Sequence, residues 1–571
     1  FALTMLIMTA VSLFISFTLT PILCSKLLKP KKEGSLSLLG RMERGWNGMF
    51  DRFVNVYRSV LVYFEKHRFA AIVLLVLILV ALLHSLTLPA KLGTSMISEA
   101  DRGELYLKLE YPSWYNIEHT QRRLREAEEL LSDLPELHQM LSMIGKVEGM
   151  FGQSSEGVYL AQILLKFSER DERAYSLHDL KQEIYSRLAG YPDAIISVNM
   201  PSAMGGQSTD IELEIAGDTL STLDNCALKI KQFVDHLSGI KDSDTTVRSG
   251  KPEIRVYPRR AVLADLGYPA TGLGMTLRAN LEGIEAGTFK QGARTYDIVV
   301  KLEEREGKEQ IEQFLFPGAP GHPLLLTNLS TLEDTLAPVQ ITRKDKRRVS
   351  KLFANLDGKK PLGIAVNELA TAIDQKGNLP PGYHYKFAGI YEVMAEGQGN
   401  LAEAGMIAII LVMLSLAAIM ESYKQPILIL VTLPLAVIGM LWALAIAGKS
   451  IEIFVLMSGV MLIGIVVNNA ILIIDQFNIH IQEGVPLHKA MISATCERFR
   501  PIVMITLAAV LGMMPLALGR GIGAEMRNAT GIASAGGILV SGILTLVVIP
   551  ILYDLCTRGN QRKKISEPPL F

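Results

Sequence analysis

The sequence predicts an α-helical membrane protein with one large α+β insertion outside the bilayer. Two observations predict it. Seven windows run free of Asp, Glu, Lys and Arg, each near or above the ~20 residues that cross a hydrocarbon core. Between the second and third of them, residues 91–403 read as an ordinary charged α/β chain. The averages of 49% hydrophobic and 20% charged residues are a blend of these two regimes, so a purely soluble protein is excluded. Lys plus Arg and Asp plus Glu balance at 57 each, and no basic excess suggests nucleic acid.

The windows are 1–25, 69–90, 404–420, 425–448, 453–474, 501–519 and 528–553. The 404–420 window is the shortest, but Glu403 and Glu421 at its ends can reach the interfaces. Orientation follows from the short connections. One set is rich in basic residues, from Lys26, Lys29, Lys31 and Lys32 through Arg498 and Arg500 to Lys564. The opposite short connections carry only Lys449, Arg520 and Arg527. The first set is expected to be cytoplasmic, which places 91–403 outside and 557–571 inside as a basic tail. Phe1 starts within an apolar run, so the chain reads as the continuation of a longer polypeptide.

Residues 38–64 place Leu39, Met42, Trp46, Met49, Phe50, Phe53, Val54 and Tyr57 near helical spacing. This predicts an amphipathic helix within a 26–68 linker, either lying on the bilayer or packed on the spans. In the outer segment, strands are expected at 103–111, 158–167 and 194–199, with helices at 116–132 and 176–190. The pattern then repeats with strands at 209–216, 243–247 and 252–257 and a helix at 219–237. It is completed by 347–356, helix 363–375 and strand 383–389. These βαβ units suggest two small sandwiches with helices on one face of a sheet. The Gly- and Pro-rich 258–337 reads as an inserted third unit.

Few motifs carry chemistry. Ala447-Gly448-Lys449-Ser450 resembles the end of a phosphate-binding loop, but Ala443 stands where the first glycine is required. Cys24, Cys226, Cys496 and Cys556 form no ligand cluster, and no metal site or organic cofactor is expected. With no catalytic constellation, an enzyme is disfavoured and the energy would come from a gradient or from elsewhere. Inside the spans the polar groups are sparse. Asn468 and Asn469 lie mid-way along 453–474, Asp475 closes that window, and Arg498 and Thr506 flank the start of the next. They read either as an ion pathway or as structural glue between helices. The loop 149–157 carries Met150 and Phe151, which suit varied apolar ligands or serve as core anchors. Met140, Met143, Met200 and Met204 lack accompanying His or Cys and read as core fillers or adaptable contacts.

Five stretches match something specific: 14–28 (FISFTLTPILCSKLL), 420–444, 462–475 (LIGIVVNNAILIID), 498–527 and 536–555. They resemble the resistance-nodulation-division family of efflux pumps, over essentially the whole chain and in order. The resemblance implies a proton-driven antiporter of hydrophobic or amphiphilic compounds in the bacterial inner membrane. Such a pump is a homotrimer that works with a periplasmic adaptor and an outer-membrane channel and needs no cofactor beyond the proton gradient. It further implies that residues 1–25 are the end of a sixth span and that 69–90 and 401–556 are spans of the second half. The periplasmic loop would divide into ferredoxin-like βαβ porter subdomains at 91–205 and at 206–257 with 338–395, and a docking subdomain at 258–337. Met150, Phe151 and Tyr159 become substrate-contact candidates, and Asn468, Asn469, Arg498 and Thr506 proton-relay candidates. Asn468 stands where the best-known branch has a relay lysine, and Ile505 holds the place of a family threonine, so the charge balance of the relay must differ. A heavy-metal exporter of the same superfamily, or an accessory to protein or lipid export, are the alternatives.

Overall fold

A computed structural model describes residues 2–27, 38–96, 101–148, 154–201, 209–248, 250–302, 307–316, 323–358, 360–377, 379–521 and 523–565. Among these, seven helices are long and apolar enough to cross a membrane, one on each expected window.

The chain opens with α1 (Ala2–Leu27), exposed over Leu3–Leu27. It is followed by the amphipathic α2 (Leu38–Lys66) and the span α3 (Arg68–Ser85). Of the two readings of α2, packing on the spans is the one the structure shows. Phe50, Tyr57 and Leu61 are buried against the bundle, while Trp46, Met49, Phe53, Val56, Val60 and Tyr63 form an exposed stripe at three- and four-residue spacing. The two sets lie side by side and make half of the helix circumference apolar. One flank packs on protein and the other is left exposed.

The first extramembrane unit runs β1 (Glu104–Glu110), α4 (Ile117–Leu131), β2 (Leu137–Glu148), β3 (Ser154–Phe167), α5 (Leu177–Leu188) and β4 (Ile195–Asn199). Its sheet order is β2-β3-β1-β4, antiparallel throughout. The alternation in β1 buries Leu105, Leu107 and Leu109 completely. Leu124, Ala127 and Leu131 of α4 and Leu180, Ile184 and Leu188 of α5 cover that face. A capping box between Ser176 and Asp179 starts α5. β2 went unforeseen because its apolar residues are interrupted by His138, Gln139, Ser142 and Lys146, as expected for an edge strand with one solvated face.

The second unit repeats that topology with β5 (Ile211–Gly217), α6 (Leu220–Asp235) and β6 (Ile240–Thr245). Next come β7 (Lys251–Pro258), the hairpin β8 (Ile284–Gln291) and β9 (Arg294–Val300), and β10 (Ser330–Ala337). β11 (Arg347–Leu356), α7 (Leu362–Lys376) and β12 (His384–Ala388) complete the unit. β11 lies between β5 and β6 while β12 pairs with the other edge of β5, again antiparallel. Each unit is therefore a β-α-β-β-α-β sandwich of the ferredoxin type. One expected placement changes. The strand read at 252–257 does not join the second sheet; β7 pairs with β10, Ser330 opposite Pro258 and Ala337 opposite Lys251. This two-stranded ribbon carries the insert, whose own core is built on Leu263, Leu273, Phe314 and Phe316.

Strand β12 passes through Gly389 directly into α8 (Ile390–Met420). The bundle then closes with α9 (Thr432–Ala447), α10 (Ile453–Gln482), α11 (Leu487–Leu518) and α12 (Ala524–Ile565). Helices α9 and α12 cross at glycine. A Cβ on Gly439 would collide with the Gly536 carbonyl, and one on Gly536 with the Ala443 side chain. That close approach is what small residues allow in a bilayer, where packing rather than hydrophobic exclusion drives association.

Candidate functional site: a polar bundle face and the seam between two sandwiches

The adjacent asparagines of α10 look in different directions, as a helix turning 100° per residue requires. Asn468 is exposed, whereas Asn469 is buried. The neighbours Val467 and Ala470 pack with Ile502 and Leu546 of α11 and α12. Asp475, seven residues on, shares the exposed face with Asn468. On α11, Thr506 turns inward while Ile505 is exposed. The Thr506 hydroxyl is buried without a hydrogen-bond partner, held against Gly542 so that a Cβ there would lie 2.7 Å from Oγ1. Buried hydroxyls of Ser534 and Thr545 on α12 also lack partners. Nε of Arg498 is likewise buried and unpartnered. Near Arg498, Glu497 accepts from Gln476 at 2.8 Å and pairs with His480 at 3.1 Å, tying α10 to α11. The structure thus brings Asn469 and Thr506 into the bundle interior and leaves Asn468 on its surface.

Outside the bilayer, the two sandwiches meet along a polar seam. Arg248, just after β6, reaches Glu110 at the end of β1 through both Nε and Nη2, the latter at 2.9 Å. The same guanidinium holds Asp244 at 2.7 Å and donates to the Val247 carbonyl at 3.1 Å, so its planar fork is filled. Lys108 adds a second cation 2.9 Å from Glu110. Burial works to raise the Glu110 carboxyl, but the Arg248 and Lys108 contacts outweigh it and lower it to about 2. Further along, Asn355 of β11 donates to Asn199 of β4 at 2.8 Å. Lys181 of α5 faces Asp242 of β6 at 3.6 Å. Among the seam's neighbours is Tyr159, half-buried in β3, whose hydroxyl is pushed up by burial and then by the Glu110 charge. Met150 and Phe151 lie outside the described residues, as does Met204. Met140 and Met200 pack against the core of the first sheet.

Each sandwich is also tied to the bundle, at a different place. Arg170, after β3, forms an ion pair with Glu525 at the start of α12. The segment Gly93–Met96 forms a joint for the second unit. Ser95 donates to the Ile451 carbonyl at 3.1 Å, Ile451 to Gly93 at 3.0 Å, and Gly363 at the start of α7 to Thr94 at 2.9 Å. Gly93 has φ +67°, and a Cβ on it would sit 2.5 Å from Pro361. Only glycine fits that bend and that distance together.

Residues 1–557 match the sequence model of the AcrB/AcrD/AcrF family. The chain belongs to that family. Its fold is similar to a heavy metal efflux pump solved by X-ray crystallography in two crystal forms. Form II has 21% sequence identity and a TM-score of 0.76, covering 89% of this chain and 52% of that one. Form I has 21% identity and a TM-score of 0.75, covering 88% and 51%. The chain thus spans about half the length of the pumps it matches. Within this AcrB/AcrD/AcrF-family chain, the seam residues Glu110, Arg248, Asn199 and Asn355 were not singled out from sequence. Glu110 ends an alternating strand and Arg248 sits among polar loop residues, so each reads as solvated until the two units are placed together. The four-residue spacing of Gln476 and His480 puts both on one face of α10, but nothing in it points to Glu497 on α11.

Proposed function

We propose that this chain is one half of a proton-driven exporter of amphiphilic compounds, set in the bacterial inner membrane with both sandwiches in the periplasm. One observation carries the proposal. Two sandwiches of identical topology meet at a hydrogen-bonded, mostly buried seam, and each is tied to a different part of the bundle, the first by Arg170 to Glu525 and the second through the Gly93–Met96 joint to Ile451. A helix shift in the bundle therefore moves the two units unequally and opens or closes the cleft between them, as alternating access needs. In this reading 91–205 and 206–257 with 338–395 are porter subdomains, and the ribbon-borne 258–337 docks toward an outer-membrane channel. The assembly is a homotrimer joined by a periplasmic adaptor. Met150, Phe151 and Tyr159 line the substrate path. The proton path uses Asn469, Thr506 and Arg498, and the face bearing Asn468 and Asp475 meets the acidic relay groups of the other half.

The test is accumulation of dyes and drugs in cells lacking their own pumps, with and without a proton uncoupler. Retention that the intact transporter lowers only while the gradient stands supports the proposal. Unchanged retention across amphiphilic cations, anions and neutral compounds overturns it. Export of a soft metal ion is the second reading, favoured by the likeness to a heavy metal efflux pump. Among the described residues no group of three or more His, Cys, Asp or Glu could hold a metal ion, so methionine thioethers would have to supply the ligands. Metal-tolerance assays on Met140→Ile, Met143→Ile and Met200→Ile variants separate the two readings.

A further inference from the structure

Helix α12 carries Pro550 in its interior. A proline has no N–H, so the carbonyl four residues earlier loses its helical donor. That carbonyl belongs to Leu546, which is 5% exposed and packs in the bundle core. In a membrane such a freed group has to be satisfied from a neighbouring element. The donor comes from α2: the Tyr57 hydroxyl donates to the Leu546 carbonyl, 489 residues away in the chain. Burial pushes the ionisation of that hydroxyl well above its ordinary value, so it stays protonated and remains a donor across the physiological range.

Two ring contacts fasten the same stretch of α2 to α11. The Tyr57 ring lies 4.8 Å from that of Phe499, and the Arg500 guanidinium stands 5.3 Å from the centre of the Phe50 ring. Residues 499 and 500 directly follow Arg498. On α12, Gly542 precedes Leu546 by one turn, and Thr506 is held against Gly542. The face of α2 that bears Phe50 and Tyr57 therefore grips both helices that carry the polar groups of the bundle.

We propose that Tyr57 is a positioning residue, which fixes the bend of α12 by filling the carbonyl that Pro550 leaves open and thereby sets the Thr506–Gly542 contact. Helices bend at proline, so what the freed carbonyl bonds to decides how Gly542 is presented to α11. Tyr57 then acts on the proton path without touching the proton. This last step rests on the proton-driven reading above; the clasp between Tyr57 and the Pro550 bend does not.

The test is a cycle of Tyr57→Phe, Pro550→Ala and the double variant in the intact transporter. Phenylalanine keeps the ring on Phe499 and removes only the hydroxyl. Alanine at 550 restores an N–H four residues from Leu546, so the carbonyl no longer needs Tyr57. Tyr57→Phe should lower the unfolding temperature of the parent and leave that of Pro550→Ala unchanged. In transport, Tyr57→Phe should cut the maximal rate about tenfold, the order expected of one unsatisfied buried group, with KM for the exported compound unchanged. Additive unfolding temperatures overturn the clasp, and a parental maximal rate in Tyr57→Phe, or a loss confined to KM, overturns the positioning role. A parent that exports none of the test compounds overturns the exporter reading instead, and the unfolding cycle then decides the clasp by itself.

Discussion

Arg248 and Glu110 belong to different sandwiches yet share a two-point ion pair, with Nη2 and Oε2 2.9 Å apart and the Glu110 side chain 8% exposed. A pair this enclosed behaves asymmetrically. Removing both charges can be nearly neutral, whereas removing one strands the other. Arg248→Met is therefore expected to destabilise the extramembrane region by about 3 kcal/mol, and Glu110→Gln with Arg248→Met by clearly less than the two single changes summed. Thermal unfolding of the two single variants and the double variant measures the coupling. Simple additivity would show that the pair does not hold the seam.

Acid should loosen the same contact in a defined window. The folded-state value for Glu110 is depressed from 4.5 to about 2. Its contribution is therefore fully present above 4.5 and is lost as pH falls from there to about 2. Distances between spin labels attached across the seam should be the same at pH 7 and pH 5 and should spread below about pH 4. A spread already complete at pH 5 contradicts the assignment.

At the joint, Gly93→Val forces a β-branched residue into φ +67° and against Pro361. The expected backbone strain is about 1–3 kcal/mol. Gly363→Val adds a Cβ in collision with the Thr94 hydroxyl. Both variants should retain substrate affinity, read by fluorescence polarisation, and lose most transport. If affinity and transport fall in parallel, the joint is a folding element and nothing more.

Thr506→Val exchanges a buried, unpartnered hydroxyl for a methyl of similar size. Stability should stay level or rise by up to about 1 kcal/mol, because an unsatisfied group is removed. Proton-driven transport should nevertheless fall. Asn468→Leu, on the exposed face, should fold normally and also impair transport. Normal proton-coupled transport in both variants removes these residues from the relay.

Where α9 crosses α12, Gly439→Leu has no room, since the Gly536 carbonyl and Val540 already occupy the space of a Cβ. Little folded protein should survive detergent extraction, read by size-exclusion chromatography. A monodisperse variant at parental yield would mean that the helices can part there.

Much of the architecture is legible because its signals are local. Charge-free windows mark all seven spans, and the strict alternation of Leu105, Leu107 and Leu109 marks β1. Pairing is less legible. Nothing in the local pattern of 252–257 distinguishes a strand of the second sheet from one leg of a ribbon, because partner choice depends on residues far away in the chain, near Ser330–Ala337. The seam was invisible for the same reason: Glu110 and Arg248 are 138 residues apart and each looks like a surface charge. The divergence of Asn468 from Asn469, by contrast, follows from helical geometry alone once the buried side of α10 is known.

Strand β12 enters α8 with a single residue between them, Gly389 at φ +64°. The helix has 31 residues, which at about 1.5 Å each is ~46 Å against ~30 Å of hydrocarbon, leaving roughly 16 Å clear of the bilayer. It is a lever with one glycine as its knuckle. A tilt of ~10° carries its far end through about 8 Å, a stroke comparable to the spacing between packed helices.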